Sequence, residues 1–362
     1  MNEQLFTEMI KVARSDLKNI NNYDAKAFLK DTAKRMLGRG TTNRDMLFWP
    51  AGMLLLGLSE AYRALPSGSA QKDEILADIK SYVDNWSETT GSKVSYIDDA
   101  LAGLTILDLY TQAGDSKYLQ LADKIYEFLK DYPKNSNGNI IYNKAAANDF
   151  CFADGVGEAA MFLSRYSAVK KDAAAHKLAG CILSDLYENS LDKRSGLIYH
   201  AYSSSKDKKL GLLGWGRACG WLIMGYAEYL ACSMASNDEE TSKIKEQFIS
   251  FSEAILSYQR SDKGFSWHLP AIEAEPDTSA TAMIAYSFAS ALSSGVYAED
   301  SAKYNKAVLG AVDFIQKHTK NGSVEGSLSG CEDLCVHRQI YGHFPWGQGS
   351  ALALLATSPQ MV

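Results

Sequence analysis

Six times along the 362-residue chain, a short polar or glycine-bearing run opens directly into a nearly all-apolar stretch of helical length. The openings lie near Gly52, Gly103, Gly157, Gly220, Ala282 and Gly349, at successive gaps of 51, 54, 63, 62 and 67 residues. A quasi-period of this size marks a repeated helical unit rather than unrelated domains. Asp98, Asp154, Trp215, Arg217, Asp277 and Trp346 all fall at these openings. One architecture would therefore gather them in one place.

Between the openings lie helices of a second kind. Tyr118, Leu121, Ala122, Ile125, Phe128 and Leu129 follow helical spacing, with Asp123, Lys124, Glu127 and Lys130 on the other side. Ile244, Phe248, Phe251, Ile255 and Tyr258 repeat the theme, and stretches beginning near Glu3, Asp73, Ala173 and Ser301 read alike. Such one-faced helices belong on a surface, whereas residues 221–232, 282–292 and 351–356 are apolar nearly all round and must be covered on most sides. Six covered helices alternating with six one-faced ones predict an all-α (α/α)6 barrel, with the inner six lining it and the outer six shielding it. An open superhelix of helix pairs is the alternative, because pairing alone does not prove closure.

The expectation is a single domain over residues 1–362. Asp24–Leu37 reads as an additional helix, and among weak strand signals Asn139–Tyr142 alternates best. The interhelix loops vary most at 132–150, 201–214, 259–277 and 320–347, and several feed directly into inner-helix N-termini. In a barrel those N-termini share one rim, which is where a site is to be sought.

Net charge is −6 with no run of five like charges, which argues against nucleic acid or an anionic membrane as the main partner. The longest apolar stretch, Trp221–Ala235, carries Glu228 and is too short and polar to span a bilayer. Residues 1–6 show neither a basic n-region nor an apolar h-region, and the six cysteines have no disulfide-framework spacing. A reducing, cytoplasmic setting is expected. Assembly into a homo-oligomer is left open.

Asp98 and Asp154 each stand a few residues before a glycine at the start of a covered helix. Two carboxylates in a partly dry cavity can divide labour, one protonated and one ionised, as acid–base chemistry on a sugar requires. The bland alternative is helix capping. Asp99 competes with Asp98, since adjacent helical side chains point about 100° apart and only one can face the lumen.

Arg217 and Trp221 are four residues apart and share a helix face, offering a fork for a carboxylate and a flat surface for a sugar ring. An arginine holding loop carbonyls is the alternative. His200 could hydrogen-bond a substrate hydroxyl, and Trp49, Trp215, Trp267, Tyr341 and Trp346 could supply stacking surface. The run Cys331-x3-Cys335-x-His337 invites a metal, but no second ligand pair accompanies it, so no metal is expected. Cys219 reads as a small core thiol.

These residues carry a resemblance. Phe150-Cys151-Phe152-Ala153-Asp154-Gly155-Val156-Gly157, Gly214-Trp215-Gly216-Arg217 leading to Gly220-Trp221, Asp277-Thr278-Ser279-Ala280, and Tyr341-Gly342-His343-Phe344-Pro345-Trp346-Gly347-Gln348-Gly349 together resemble glycoside hydrolase family 105. These are the unsaturated rhamnogalacturonyl hydrolases, related to the unsaturated glucuronyl hydrolases of family 88. The resemblance runs from Trp49 to the C-terminus. It implies an (α/α)6 barrel acting on lyase-generated oligosaccharides whose terminal uronate carries a C4=C5 double bond. It further implies Asp154 as proton donor and water activator, Asp98 as the second carboxylate, and His200, Arg217 and Trp221 as lining of the sugar site.

The chemistry implied is hydration, so carboxylate-separation rules for direct glycosidic attack do not apply. No cofactor is called for, and the partner is a small anionic oligosaccharide. Four positions depart from the family pattern: Asp99 where many relatives have histidine, Asp277 for a common glutamate, and Ala218-Cys219 for Gly-Asn or Gly-Thr. A sugar epimerase built on an α/α barrel and a non-catalytic helical-repeat binding module are the competing functions.

Overall fold

The structure, a computed structural model, describes residues 3–20, 46–233, 238–297, 300–331 and 333–358. Its described residues form twelve α-helices in two alternating sets. The inner set is α2 (Trp49–Ala64), α4 (Ala100–Ala113), α6 (Ala153–Lys170), α8 (Gly216–Ser233), α10 (Thr278–Ser293) and α12 (Pro345–Thr357). The outer set is α1 (Glu3–Asn19), α3 (Ala70–Thr90), α5 (Ser116–Lys130), α7 (Ala173–Ser190), α9 (Glu239–Leu256) and α11 (Ser301–Lys317).

Each inner helix packs on the next, and α12 returns to pack on α2. The ring is therefore a closed (α/α)6 barrel and not an open superhelix. The helix expected at Asp24–Leu37 lies outside the described residues.

Closure depends on close approach between inner helices. A Cβ on Gly157 would collide with the Trp221 carbonyl of α8, and one on Gly349 with the Met53 carbonyl of α2. The recurring glycines of the sequence are thus helix–helix contacts, where only a bare Cα lets the backbones meet.

Side-chain caps are commoner on the outer set, although Asp277 also caps the inner α10 and α11 lacks one. Ser69, Asp115, Asp172 and Asp238 cap α3, α5, α7 and α9 with side-chain oxygens. By contrast α2, α6 and α12 follow Phe48, Phe152 and Phe344, none of which supplies a side-chain cap.

The expected strand at Asn139–Tyr142 does not form; Ile140 makes only an isolated bridge to Lys134. A three-stranded antiparallel sheet appears instead, with β1 (Phe150–Phe152), β2 (Tyr199–Ser203) and β3 (Lys208–Leu213) in that order. Four two-residue strands follow, β4 (Thr319–Lys320), β5 (Ser323–Val324), β6 (Ser327–Leu328) and β7 (Tyr341–Gly342), with β6 paired to β7. These strands occupy the connections that reach inner-helix N-termini.

The opposite end of the barrel is filled by charge. Arg165 of α6 grips Glu228 of α8 in bidentate fashion at 2.7 and 2.8 Å, and Asp108 of α4 at 3.0 Å. Arg63 of α2 reaches the same Asp108 at 2.5 Å, and the Tyr286 hydroxyl donates to Glu60 at 3.0 Å. This layer lies some 8–14 residues along the inner helices, roughly 12–21 Å from the N-terminal rim. No helix among the described residues is long and apolar enough to cross a membrane.

Candidate active site

Strand β1 runs directly into α6, which puts Asp154 in the first helical turn. Strand β2 pairs with β1, placing Ala201 opposite Phe152. This register carries the buried His200 up to Asp154, with Nε2 2.7 Å from Oδ2. Asp154 is therefore engaged by histidine and does not cap its helix.

Asp98 sits in a 3-10 turn just before α4. Its Oδ2 accepts a hydrogen bond from the Tyr142 hydroxyl at 2.9 Å. The neighbouring Asp99 is the capping group of the two: its Oδ2 accepts from the backbone N–H of Ser95 and Tyr96 at 2.7 and 3.0 Å. The turn thus separates the adjacent aspartates, one toward Tyr142 and one into its own backbone.

Asp154, His200 and Tyr142 line a cavity of about 150 Å³ at the N-terminal rim. Glu158, one turn beyond Asp154 on α6, joins them. Aromatic walls come from Trp49, Phe152, Trp215 and Trp221, with Arg217 among them. Cys331 and Asp333 close one side from the loop between β6 and β7. Trp49 meets Trp221 edge-on at 6.1 Å and tilts against Trp346 at 4.8 Å. Trp215 lies between the ring of His200 at 4.5 Å and that of His337 at 4.8 Å.

Arg217 takes the loop-carbonyl role. Its terminal nitrogens donate to the carbonyls of Leu328 and Ser329 at 2.6 and 2.8 Å, with Asp277 at 3.7 Å. The guanidinium also lies 4.9 Å from the Trp215 ring centre, so it braces a cavity wall. Asp277 caps α10 through Ser279 and accepts from Leu328 N–H. Trp346 donates its indole N–H to the Leu328 carbonyl. Neither Trp267 nor Tyr341 lines the cavity: Trp267 lies 6.0 Å from His337, and Tyr341 pairs within the β6–β7 hairpin. Among the described residues, no group of three His, Cys, Asp or Glu is arranged to hold a metal ion.

Burial dominates the electrostatics. It pushes the Asp98 carboxyl up to about 7, aided by the charge of Asp154 and opposed by the Tyr142 and Glu158 hydrogen bonds. Glu158 is held well above the usual carboxylate range, by burial first and then by Asp98 and Asp154. His337 is pushed down to about 4 by burial and by the charges of His200 and Arg217, and so is neutral at physiological pH. Burial raises the Cys331 thiol to about 12, which keeps it protonated and a poor nucleophile.

Sequence reasoning missed Tyr142, Phe152, Glu158, Cys331 and Asp333 as cavity residues. Glu158 alone carried a usable signal, since a residue four after Asp154 shares its helix face.

Comparison with known proteins agrees with this geometry. The family model for Glycosyl Hydrolase Family 88 matches residues 18–361. The unsaturated rhamnogalacturonyl hydrolase YesR of Bacillus subtilis is 26% identical over 332 residues, covering 85% of this chain and 88% of its own length. Among solved structures, a possible member of the GH105 family from Salmonella enterica superposes with TM-score 0.79 at 17% identity, covering 97% of this chain and 93% of its own. The unsaturated glucuronyl hydrolase of Bacillus sp. GL1, responsible for glycosaminoglycan degradation, gives TM-score 0.72 at 13% identity, covering 100% and 98%. A family model spanning nearly the whole chain, on a closed ring with an acidic rim cavity, leads to one conclusion: the chain belongs to glycosyl hydrolase family 88 and is an unsaturated glycosyl hydrolase.

Proposed function

We propose that this hydrolase removes the terminal 4,5-unsaturated uronic acid from lyase-generated oligosaccharides, with unsaturated galacturonyl-rhamnose as the preferred substrate. Residues 1–362 act as one catalytic domain, in a cytoplasmic setting that receives the oligosaccharides already shortened. The observation that carries the chemistry is the contact of Asp154 with His200 at 2.7 Å inside the cavity, beside a second carboxyl, Asp98, held by the cavity-lining Tyr142.

Asp154 gives a proton to C4, and the electron pair of the double bond forms the new C–H bond. Positive charge then spreads over C5 and the ring oxygen, where the nearby Asp98 anion stabilises it. The Asp154 carboxylate next takes a proton from water as the water oxygen bonds to C5. The hemiketal opens to a ketone, and the hemiacetal left at C1 releases the aglycone. His200, as an Nε2–H donor, would occupy Asp154 Oδ2 and leave Oδ1 to carry the proton.

Two features support a terminal sugar as the reacting residue. The cavity, about 150 Å³, is smaller than the roughly 300–1,000 Å³ of sites for larger ligands. Trp49, Trp215 and Trp221 offer ring faces and edges around that single volume. The rhamnose aglycone is supported by the likeness to YesR at 26% identity.

A panel of unsaturated disaccharides from different lyases, followed by loss of enol-ether ultraviolet absorbance, tests both levels. Asp154→Asn should lower turnover by about three orders of magnitude. Near-normal turnover in that variant would remove Asp154 from the mechanism. Preference for glucuronyl over galacturonyl-rhamnose substrates would overturn the substrate assignment while leaving the chemistry standing.

A further inference from the structure

Two carboxyl side chains, Asp154 and Glu158, line one small cavity, a third, Asp98, is held against it by the lining Tyr142, and the proposed reaction uses only two of the three. Glu158 is 1% exposed and faces the cavity from α6, yet its Oε2 has no hydrogen-bond partner. Asp98 Oδ1 is likewise enclosed without a partner. The turn that carries Asp98 packs on the helix that carries Glu158, and the two carboxyl groups act on each other directly. Ionised carboxylates only accept, so such a contact is favourable only when a proton lies between them. We propose that Glu158 and Asp98 hold one proton in common, making Glu158 the positioning residue that orients Asp98 toward the sugar. This rests on the function proposed above, in which Asp98 faces the charge developing on the ring.

Among the described residues, the other polar groups around the pair are engaged elsewhere. Tyr142 already donates to Asp98 Oδ2, and Asp99 is engaged by the N–H groups of Ser95 and Tyr96. The basic side chains lining the cavity are committed elsewhere: His200 to Asp154, and Arg217 to the carbonyls of Leu328 and Ser329. Asp333, on the opposite wall, adds negative charge, and the neutral His337 behind Trp215 adds none. Two like charges this close in a buried setting repel, which disfavours the doubly ionised pair. The upward shifts of both carboxyls, with burial as the leading cause, point the same way. The pair then titrates as a unit and carries one negative charge rather than two when an anionic uronate enters.

The shared proton is not transferred in the reaction. Its work is to fix Asp98, between Tyr142 on one oxygen and Glu158 on the other, while Asp154 alone exchanges protons with substrate and water.

Glu158→Gln and Glu158→Leu separate the possibilities. Glutamine still donates to Asp98 but cannot ionise, whereas leucine keeps similar volume and donates nothing. Glu158→Leu should lower kcat at least about tenfold, the worth of one hydrogen bond to a charged group, with a smaller change in KM. Glu158→Gln should recover part of that loss and displace the alkaline limb of the pH–rate profile upward. Leucine and wild-type rates that coincide, or an alkaline limb unmoved in the glutamine variant, would overturn the proposal.

An infrared titration needs no substrate and so separates this proposal from the assigned reaction. The wild-type spectrum minus that of Glu158→Gln near neutral pH should show a protonated-carboxyl band that disappears on raising the pH. A difference spectrum without that band places the proton elsewhere. If that variant does not fold, wild-type protein labelled with 13C at glutamate side-chain carboxyls decides the question. One glutamate carbon should titrate near or above neutrality; if all titrate in the ordinary acid range, the shared proton does not exist.

Discussion

The smallest structural decision in this protein is which of two adjacent aspartates faces the site. Asp99 folds back onto the N–H groups of Ser95 and Tyr96, and this frees Asp98 to meet Tyr142. The phenol of Tyr142 is held well above its ordinary range by burial and by Asp98 and Asp154, so it remains a donor. Tyr142→Phe should therefore slow hydration about tenfold, as expected for loss of one hydrogen bond to a charged acceptor. Steady-state kinetics on an unsaturated disaccharide check this, and an unchanged kcat would show that Asp98 needs no such anchor. Stability should move the other way at Asp98. Its carboxyl is raised to about 7 in the folded chain, above its ordinary value near 3.8, so its ionisation disfavours folding. The relative stability it contributes is complete below about pH 4 and is lost as pH rises through about 7. Asp98→Asn should thus flatten the decline in melting temperature across that window, measurable by calorimetry.

At the scale of elements, what was legible in the sequence followed from periodicity. Inner helices such as α8 are apolar on every side and outer ones such as α5 on one, because a ring covers the first kind completely and the second kind by half. The sheet was hidden for the same physical reason. Strand β2 is buried at four of its five positions, so it shows no alternation, and β1 has only three residues. Tyr142 comes from a long irregular loop, where no period marks which side chain turns inward. The repeated glycines were visible, but their purpose became clear only in the packing of neighbouring inner helices. Gly157→Ala should destabilise by about 1–3 kcal/mol, since its methyl would press into the Trp221 carbonyl rather than a flexible side chain. Chemical denaturation measures this, and the same substitution at Gly138, where nothing lies within 4 Å, provides an open-space comparison for the added methyl, although its positive φ brings backbone strain of its own. Helix α1 joins the ring late in the chain's contacts, through Gln348 donating to the Met9 carbonyl and His343 pairing with Asp16 at 2.9 Å. The hydrogen bond that His343 donates to Asp16 raises its pKa above the ordinary value of about 6.5. This docking contribution is full below about pH 6.5 and fades as pH rises through the folded-state value, and Asp16→Asn should erase that dependence in thermal melts.

For the molecule as a whole, the barrel has two unlike ends. The N-terminal rim holds the cavity, and the far end holds Arg165 between Glu228 and Asp108. Removing Arg165 leaves both acids buried without their shared cation, so Arg165→Met should cost about 3–5 kcal/mol. Equilibrium unfolding tests this, and a loss below about 1 kcal/mol would mean that the layer is solvated rather than closed. That plugged end gives the enzyme the topology of a cul-de-sac. Whatever enters by the mouth must back out by it, so a polymer cannot be drawn through and trimmed in successive steps. Under the proposed reaction each sugar released is a separate visit, and the freed keto-uronate competes for the doorway with the next arrival.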